Sequence, residues 1–85
     1  MKVLFFAWLR ERAGCGELDV APPAGIDSVA GLIAWLTAAH PGAAAALADL
    51  ARVRIAVNCE HAGLDAKVAP GDEVAFFPPV TGGHD

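Results

Sequence analysis

An α+β fold is predicted by three features of the chain. One stretch spaces its apolar residues at helical intervals, several short stretches of strand character flank it, and proline or glycine separates them. The order reads strand, strand, helix, strand, an irregular return or short edge strand, then strand, with a short second helix after the first. That order predicts a mixed sheet of about four to five strands packed on one principal helix. Residues 1–81 form the single domain and residues 82–85 a flexible tail. No internal repeat or low-complexity segment competes with this reading.

Lys2 to Leu9 is rich in bulky apolar side chains and reads as a first strand. Alternation puts Val3, Phe5 and Ala7 on one face and Leu4, Phe6 and Trp8 on the other, so both faces can be covered. Arg10 to Gly16 breaks the run with alternating charge and two glycines and reads as a loop into a shorter strand, Glu17 to Ala21. Leu18 and Val20 share the core face of that strand. Pro22 and Pro23 end it by removing two backbone donors.

Asp27 or Ser28 is placed to cap the principal helix, whose stripe is Val29, Leu32, Ile33 and Leu36. Trp35 flanks that stripe as a packing residue. Gly31 costs roughly 1 kcal/mol of helix propensity and permits close approach to a sheet. Pro41 and Gly42 stop the helix after His40, and Ala43 to Leu50 reads as a short helix anchored by Leu47 and Leu50. Arg52 to Cys59 alternates most clearly, with Val53, Ile55, Val57 and Cys59 facing one way. Glu60 to Gly63 reads as a turn, and Leu64 to Val68 as an edge strand or irregular return. Pro70 to Asp72 then turn the chain into the last strand, Glu73 to Phe77, with Val74 and Phe76 on one face.

The chain has 85 residues, a net charge of −4 and six Lys or Arg in no long block, which argues against a general nucleic-acid groove. The opening MKVLFFAWL is too short for a membrane span, and Arg10, Glu11 and Arg12 follow without a small-residue cleavage site. Cys15 and Cys59 lack both the density of a stapled secreted scaffold and a compact metal-ligand spacing. A cytoplasmic protein with two reduced thiols is expected.

Conventional catalytic sets are absent from the pattern. His40, His61 and His84 are scattered, Ser28 is explained as a cap, and Asp72 and Glu73 are adjacent rather than opposed across a reacting bond. The end of the chain is different. Pro78 and Pro79 hold the backbone extended beyond the last strand, and Val80 and Thr81 give way to Gly82 and Gly83. Two residues without a Cβ fit a narrow partner channel, at the cost of more backbone freedom lost on binding. On the residues alone a frayed terminus is the commoner explanation of the glycines, although it does not account for their position after VAFFPP. Arg10 and Arg12, joined by Lys67 or Arg54 if the fold brings them near, are candidates for charge contacts with a partner or its nucleotide. Phe77, Pro78 and Pro79 offer an apolar docking edge.

The chain resembles the small, sulfur-carrying subunits of molybdopterin synthase, ubiquitin-like proteins of the β-grasp fold. The resemblance rests on KVLFFAWLRERAG at the start, RIAVN from Arg54 to Asn58, and above all GDEVAFFPPVTGG from Gly71 to Gly83. It implies a carrier acting as sulfur co-substrate, with a reactive C-terminal Gly83 instead of an internal catalytic centre. An activating enzyme would adenylate the Gly83 carboxylate with ATP, and a sulfur donor system would convert it to a thiocarboxylate. The synthase large subunit would receive Val80, Thr81, Gly82 and Gly83 and use the sulfur to convert cyclic pyranopterin monophosphate to the molybdopterin dithiolene. Phe77, Pro78, Pro79, Arg10 and Arg12 would dock the partner. The resemblance implies no intrinsically bound cofactor, no metal, no nucleic acid and no membrane.

The sequence departs from that pattern at the reacting end. Related carriers finish at the second glycine, whereas His84 and Asp85 follow it here. Within the chain the Gly83 carbonyl is an amide and has no carboxylate to adenylate. The leading expectation is therefore a processing peptidase that removes His84 and Asp85, and the other is an extension that blocks activation. Two alternatives stay open: a carrier for thiamine thiazole synthesis, which also ends in Gly-Gly, and a non-catalytic ubiquitin-like binding module.

Overall fold

A computed structural model of the chain describes residues 1–79. Its element order is β1 Lys2–Phe5, α1 Trp8–Ala13, β2 Glu17–Asp19, α2 Val29–Ala39, α3 Pro41–Ala46, a 3₁₀ turn at Leu50–Arg52, β3 Arg54–Val57, β4 Glu60–Ala62 and β5 Glu73–Phe77. The strands form one five-stranded sheet in the order β2-β1-β5-β3-β4. β1 and β5 run parallel at its centre, with Val3 opposite Val74 and Phe5 opposite Phe76, and the other pairs are antiparallel. This is the expected mixed sheet in the ubiquitin-like β-grasp arrangement, a sheet closed over by α2 and its neighbouring helices.

The core follows from the period-two alternation of the strands meeting the helical stripe of α2. Val3, Phe5, Ile55, Val74 and Phe76 project from one sheet face against Val29, Leu32, Ile33 and Leu36. At its centre Phe5 and Phe76 stack with ring centroids 5.7 Å apart. The α2 stripe is the one read from the sequence, and Ser28 is the cap, its hydroxyl accepting from the Gly31 N–H at 3.1 Å. Leu64 to Val68 is an irregular return, joined to the rest by an isolated bridge between Lys67 and Ser28.

Several boundaries differ from the sequence reading. The first strand ends at Phe5 instead of Leu9, because Ala7 takes a positive φ of 56° and turns the chain into α1. The expected loop from Arg10 is therefore helix. α1 buries Leu9, and Gly14 closes it in the left-handed region at φ 80°, donating to the Arg10 carbonyl at 3.1 Å. The outer face of β1 is open instead of covered, with Phe6 49% exposed. β2 stops at Asp19, short of Ala21. Pro41 does not simply stop α2. It occupies the first turn of α3, where its missing N–H needs no partner, so the short helix is Pro41–Ala46 and not Ala43 to Leu50. The strand expected over Arg52 to Cys59 is trimmed at both ends, by the 3₁₀ turn and by Asn58 and Cys59 at φ 50° and 70°. Positive φ at both loop residues is the geometry of a two-residue hairpin, so Glu60–Ala62 pairs with β3 as β4 where a turn had been expected.

Candidate functional site

The site is the end of the molecule where the last strand leaves the sheet. Parallel pairing brings the ends of β1 and β5 to the same pole, where the Phe6 N–H donates to the Phe76 carbonyl at 3.1 Å. β5 is the middle strand, hydrogen-bonded along both edges. It ends in Phe77, which pairs with Arg54, and then in Pro78 and Pro79, all three half-buried. Phe77 lies on the face away from the core, and the His61 ring meets it edge-on at 5.8 Å. Register places Leu4, Ala75 and Ala56 beside it on that open face. Phe77, Pro78 and Pro79, the residues expected to dock a partner, form a partly exposed apolar strip, and Phe6 at the same pole is 49% exposed.

Arg10 and Arg12 are exposed on α1, the helix that follows β1 at this pole. The Arg12 guanidinium lies over the Trp8 ring at 4.8 Å, and that of Arg52 over the same ring at 5.7 Å. Such stacking on an indole holds a guanidinium in place while leaving its N–H groups exposed for partners. Arg10 instead lies across Gly16, where a Cβ would come 3.0 Å from its Nε. Arg54, opposite Phe77, belongs to the same pole. Lys67 does not, since its bridge to Ser28 puts it with the irregular return toward the other end. Trp8 and Arg52 were missed as site residues because they had been assigned to strands. The usable signal was the Arg52, Arg54 pair, two basic residues one apart beside an apolar strand.

The opposite pole holds a polar knot. The Asn58 side chain donates to Asp72 Oδ1 at 3.1 Å and accepts from the Glu73 N–H at 3.0 Å. Asp72 Oδ2 accepts from the Ala69 N–H at 2.8 Å. The Asn58 hydrogen bond, and then that of Ala69, hold the Asp72 carboxyl below its ordinary value of 3.8. This knot braces the turn into β5 and explains the adjacent acids structurally. Cys15 and Cys59 are free thiols, one beside α1 and the other in the β3–β4 hairpin turn at the far end. Among the described residues no group of three His, Cys, Asp or Glu could hold a metal ion, and no helix is long and apolar enough to cross a membrane. The expected tail residues Val80, Thr81, Gly82 and Gly83, with His84 and Asp85, lie outside the described residues.

The fold is that of the small ubiquitin-like β-grasp proteins, with the central strand leaving the sheet at an apolar and arginine-bearing pole. Residues 3–83 match the ThiS family, and the chain belongs to that family. It is 43% identical over 83 residues to the molybdopterin synthase sulfur carrier subunit of Escherichia coli (strain K12), covering 98% of this chain and 99% of that one. Among solved structures it is similar to SAMP1 from Haloferax volcanii, with a TM-score of 0.74, 33% identity and coverage of 96% and 97% of the two chains. It is also similar to a chain in the complex of subunits 1 and 2 of the molybdopterin-converting factor from Helicobacter pylori 26695, with a TM-score of 0.62, 25% identity and 96% of each chain covered.

Proposed function

We propose that the chain is the sulfur carrier subunit of a molybdopterin synthase. The observation that carries this reading is the end-to-end 43% identity with the Escherichia coli carrier, over 98% of this chain. The family match ends on Gly83 and leaves His84 and Asp85 beyond it, which supports Gly83 as the working residue.

In this reading a peptidase cleaves the Gly83–His84 amide, adding water across the bond and freeing the Gly83 carboxylate. An activating enzyme transfers AMP from ATP to that carboxylate, and the resulting acyl adenylate is an electrophile. Sulfide-level sulfur from a donor system attacks the acyl carbon, AMP leaves, and a thiocarboxylate remains on Gly83. The large subunit then takes in the end of the chain, and two rounds of delivery to cyclic pyranopterin monophosphate build the dithiolene. In each round water cleaves the acyl–sulfur bond and supplies the replacing oxygen, which returns the carrier as a carboxylate. The chain's own contribution is reach and placement. Gly82 and Gly83 have no Cβ to meet a channel wall, and Phe77, Pro78 and Pro79 fix where the tail starts. The H. pylori complex of subunits 1 and 2 supports a large-subunit partner of this kind.

Intact-mass spectrometry tests the sequence of events. Protein from its native cell should lose His84 and Asp85, and then gain the mass of one oxygen replaced by sulfur on incubation with activating enzyme, ATP and sulfur donor. A population that still ends in Asp85 while pterin sulfur transfer is active would sink the processing step. Thiazole formation in place of transfer to cyclic pyranopterin monophosphate would move the chain to the thiamine pathway. Binding to the large subunit by the processed chain, without thiocarboxylate formation, would leave only a binding module.

A further inference from the structure

Every arginine of the chain, Arg10, Arg12, Arg52 and Arg54, sits at the pole from which β5 departs. Both lysines sit elsewhere, Lys2 at the start of β1 and Lys67 in the irregular return. The acids Asp19, Glu60, Asp72 and Glu73 lie toward the other pole, as strand direction and register require. Sequence alone gives an acidic protein of net charge −4. The fold gathers the arginines at one end of the strand axis, although Glu11, Glu17 and Asp49 also lie toward that end.

Among the described residues no arginine makes an ion pair. The ion pairs among them are Met1 ammonium to Asp19 at 3.9 Å and Lys2 to Glu17 at 3.9 Å. Two guanidiniums instead share the Trp8 indole, at 4.8 and 5.7 Å. Holding two like charges on one half-buried ring is unfavourable in the isolated domain unless salt screens them, and it is relieved when carboxylates arrive. The chosen residue type fits that purpose. A stacked guanidinium is pre-ordered, always charged and able to take a carboxylate in a bidentate fork.

We infer that these four arginines form a basic collar that reads an acidic rim on the protein surface receiving the tail, the collar being built around Trp8. The inference rests on the carrier reading, since a threaded tail brings the partner's channel mouth against this pole. Protein carboxylates fit better than a nucleotide phosphate. Arg12 and Arg52 lie over an exposed helix side, while Arg54 stands across Phe77 on the open sheet face, so the cations are spread around the departing strand. Glu11, also exposed on α1 between Arg10 and Arg12, disfavours a compact polyanion more than it disfavours a patterned protein surface.

The test uses the chain ending at Gly83 and the large subunit encoded by the same genome. Wild type, Arg12→Glu, Arg52→Glu and Lys67→Glu are compared for association rate at low and high salt. The two arginine reversals should each slow association by roughly tenfold at low salt and flatten its salt dependence, as expected for a steering charge. Lys67→Glu makes the same change in net charge at the other end and should stay within about twofold of wild type. Wild-type binding that is salt-insensitive and unaffected by either arginine reversal overturns the collar and leaves the carrier reading standing. Absence of wild-type binding overturns both. A Trp35→Phe variant leaves Trp8 as the reporting indole and needs no charge reversal. Its emission should change on adding large subunit and stay constant with ATP or pyrophosphate. A response to ATP or pyrophosphate with none to the large subunit would mark a phosphate site and refute the acidic-rim assignment.

Discussion

Gly42 is the position at which the smallest added group should do the most damage. It lies in the first turn of α3, where that helix crosses α1, and a Cβ built there falls on the Ala13 carbonyl oxygen and 3.0 Å from the Ala13 carbonyl carbon. The obstacle is backbone, so no rotamer change relieves it. Gly42→Ala must push α3 away from α1 or shift the end of α1, near its Gly14 cap. Overpacking of this kind costs about 1–3 kcal/mol. The helix-propensity gain of Ala over Gly, at most about 1 kcal/mol, offsets part of that. A net loss of roughly 1–2 kcal/mol is therefore expected by urea denaturation followed by circular dichroism, with the slope unchanged. Ala45→Gly, at an exposed position of the same helix, is the comparison and should lose no more than about 1 kcal/mol from propensity alone. Because α1 carries Trp8, Arg10 and Arg12, Gly42→Ala should also weaken partner binding under conditions where the domain remains folded. A Gly42→Ala protein as stable as wild type would refute the close approach of α1 and α3.

Cys59 occupies a left-handed backbone at φ 70° in the β3–β4 turn, so Cys59→Gly should raise stability by about 0.5–1 kcal/mol, read from the urea midpoint. Phe76→Ala, fully buried against Phe5, should cost about 3–5 kcal/mol and leave much of the population unfolded by near-ultraviolet circular dichroism at modest temperature. The folded-state value of Asp72 is depressed, first by Asn58 and then by the Ala69 N–H. Its contribution is therefore present above the unfolded value and lost as pH falls from about 3.8 through the lower folded value. Asp72→Asn should flatten that acid limb in melts taken between neutral and strongly acid pH.

The helix that closes the sheet was legible because its stripe and its cap are local. Val29, Leu32, Ile33 and Leu36 repeat at helical spacing, and Ser28 meets its amide partner three residues on. β5 was legible for a similar reason, with Val74 and Phe76 alternating ahead of two prolines. α1 was not. Its six residues are too few to hold a helix by propensity, and they continue an apolar run that also suits a strand. What makes them helical is distant in sequence, the packing of Leu9 into the core and the seat of Gly42 on Ala13. β4 was hidden because Glu60, His61 and Ala62 carry almost no apolar pattern, and the hairpin depends on Cys59 taking a conformation usually given to glycine. The same limit applied to the site. The apolar strip at Phe77 to Pro79 is contiguous and could be read, whereas Trp8 with Arg12 and Arg52 is assembled only by tertiary structure.

The diproline gains its meaning from what its neighbours do at the same level. On one side of β5 the Phe6 N–H makes its bond to Phe76, and Ala7 then turns the chain out of the sheet at φ 56°. On the other side the pairing ends with Arg54 opposite Phe77, and the Val53 N–H is directed to Leu50 at 3.1 Å within the 3₁₀ turn. Pro78 and Pro79 have no N–H to offer either neighbour. All three strands therefore stop together, and no strand edge remains at this level to recapture the chain beyond Phe77. Upstream, β5 is fixed along both edges by the full ladders of β1 and β3 and by the buried Val74 and Phe76. A pull transmitted through the departing chain must shear two ladders at once to disturb the domain. A firmly held strand and a sharply ended sheet are separate requirements, and the ladders of β5 and the diproline meet them separately.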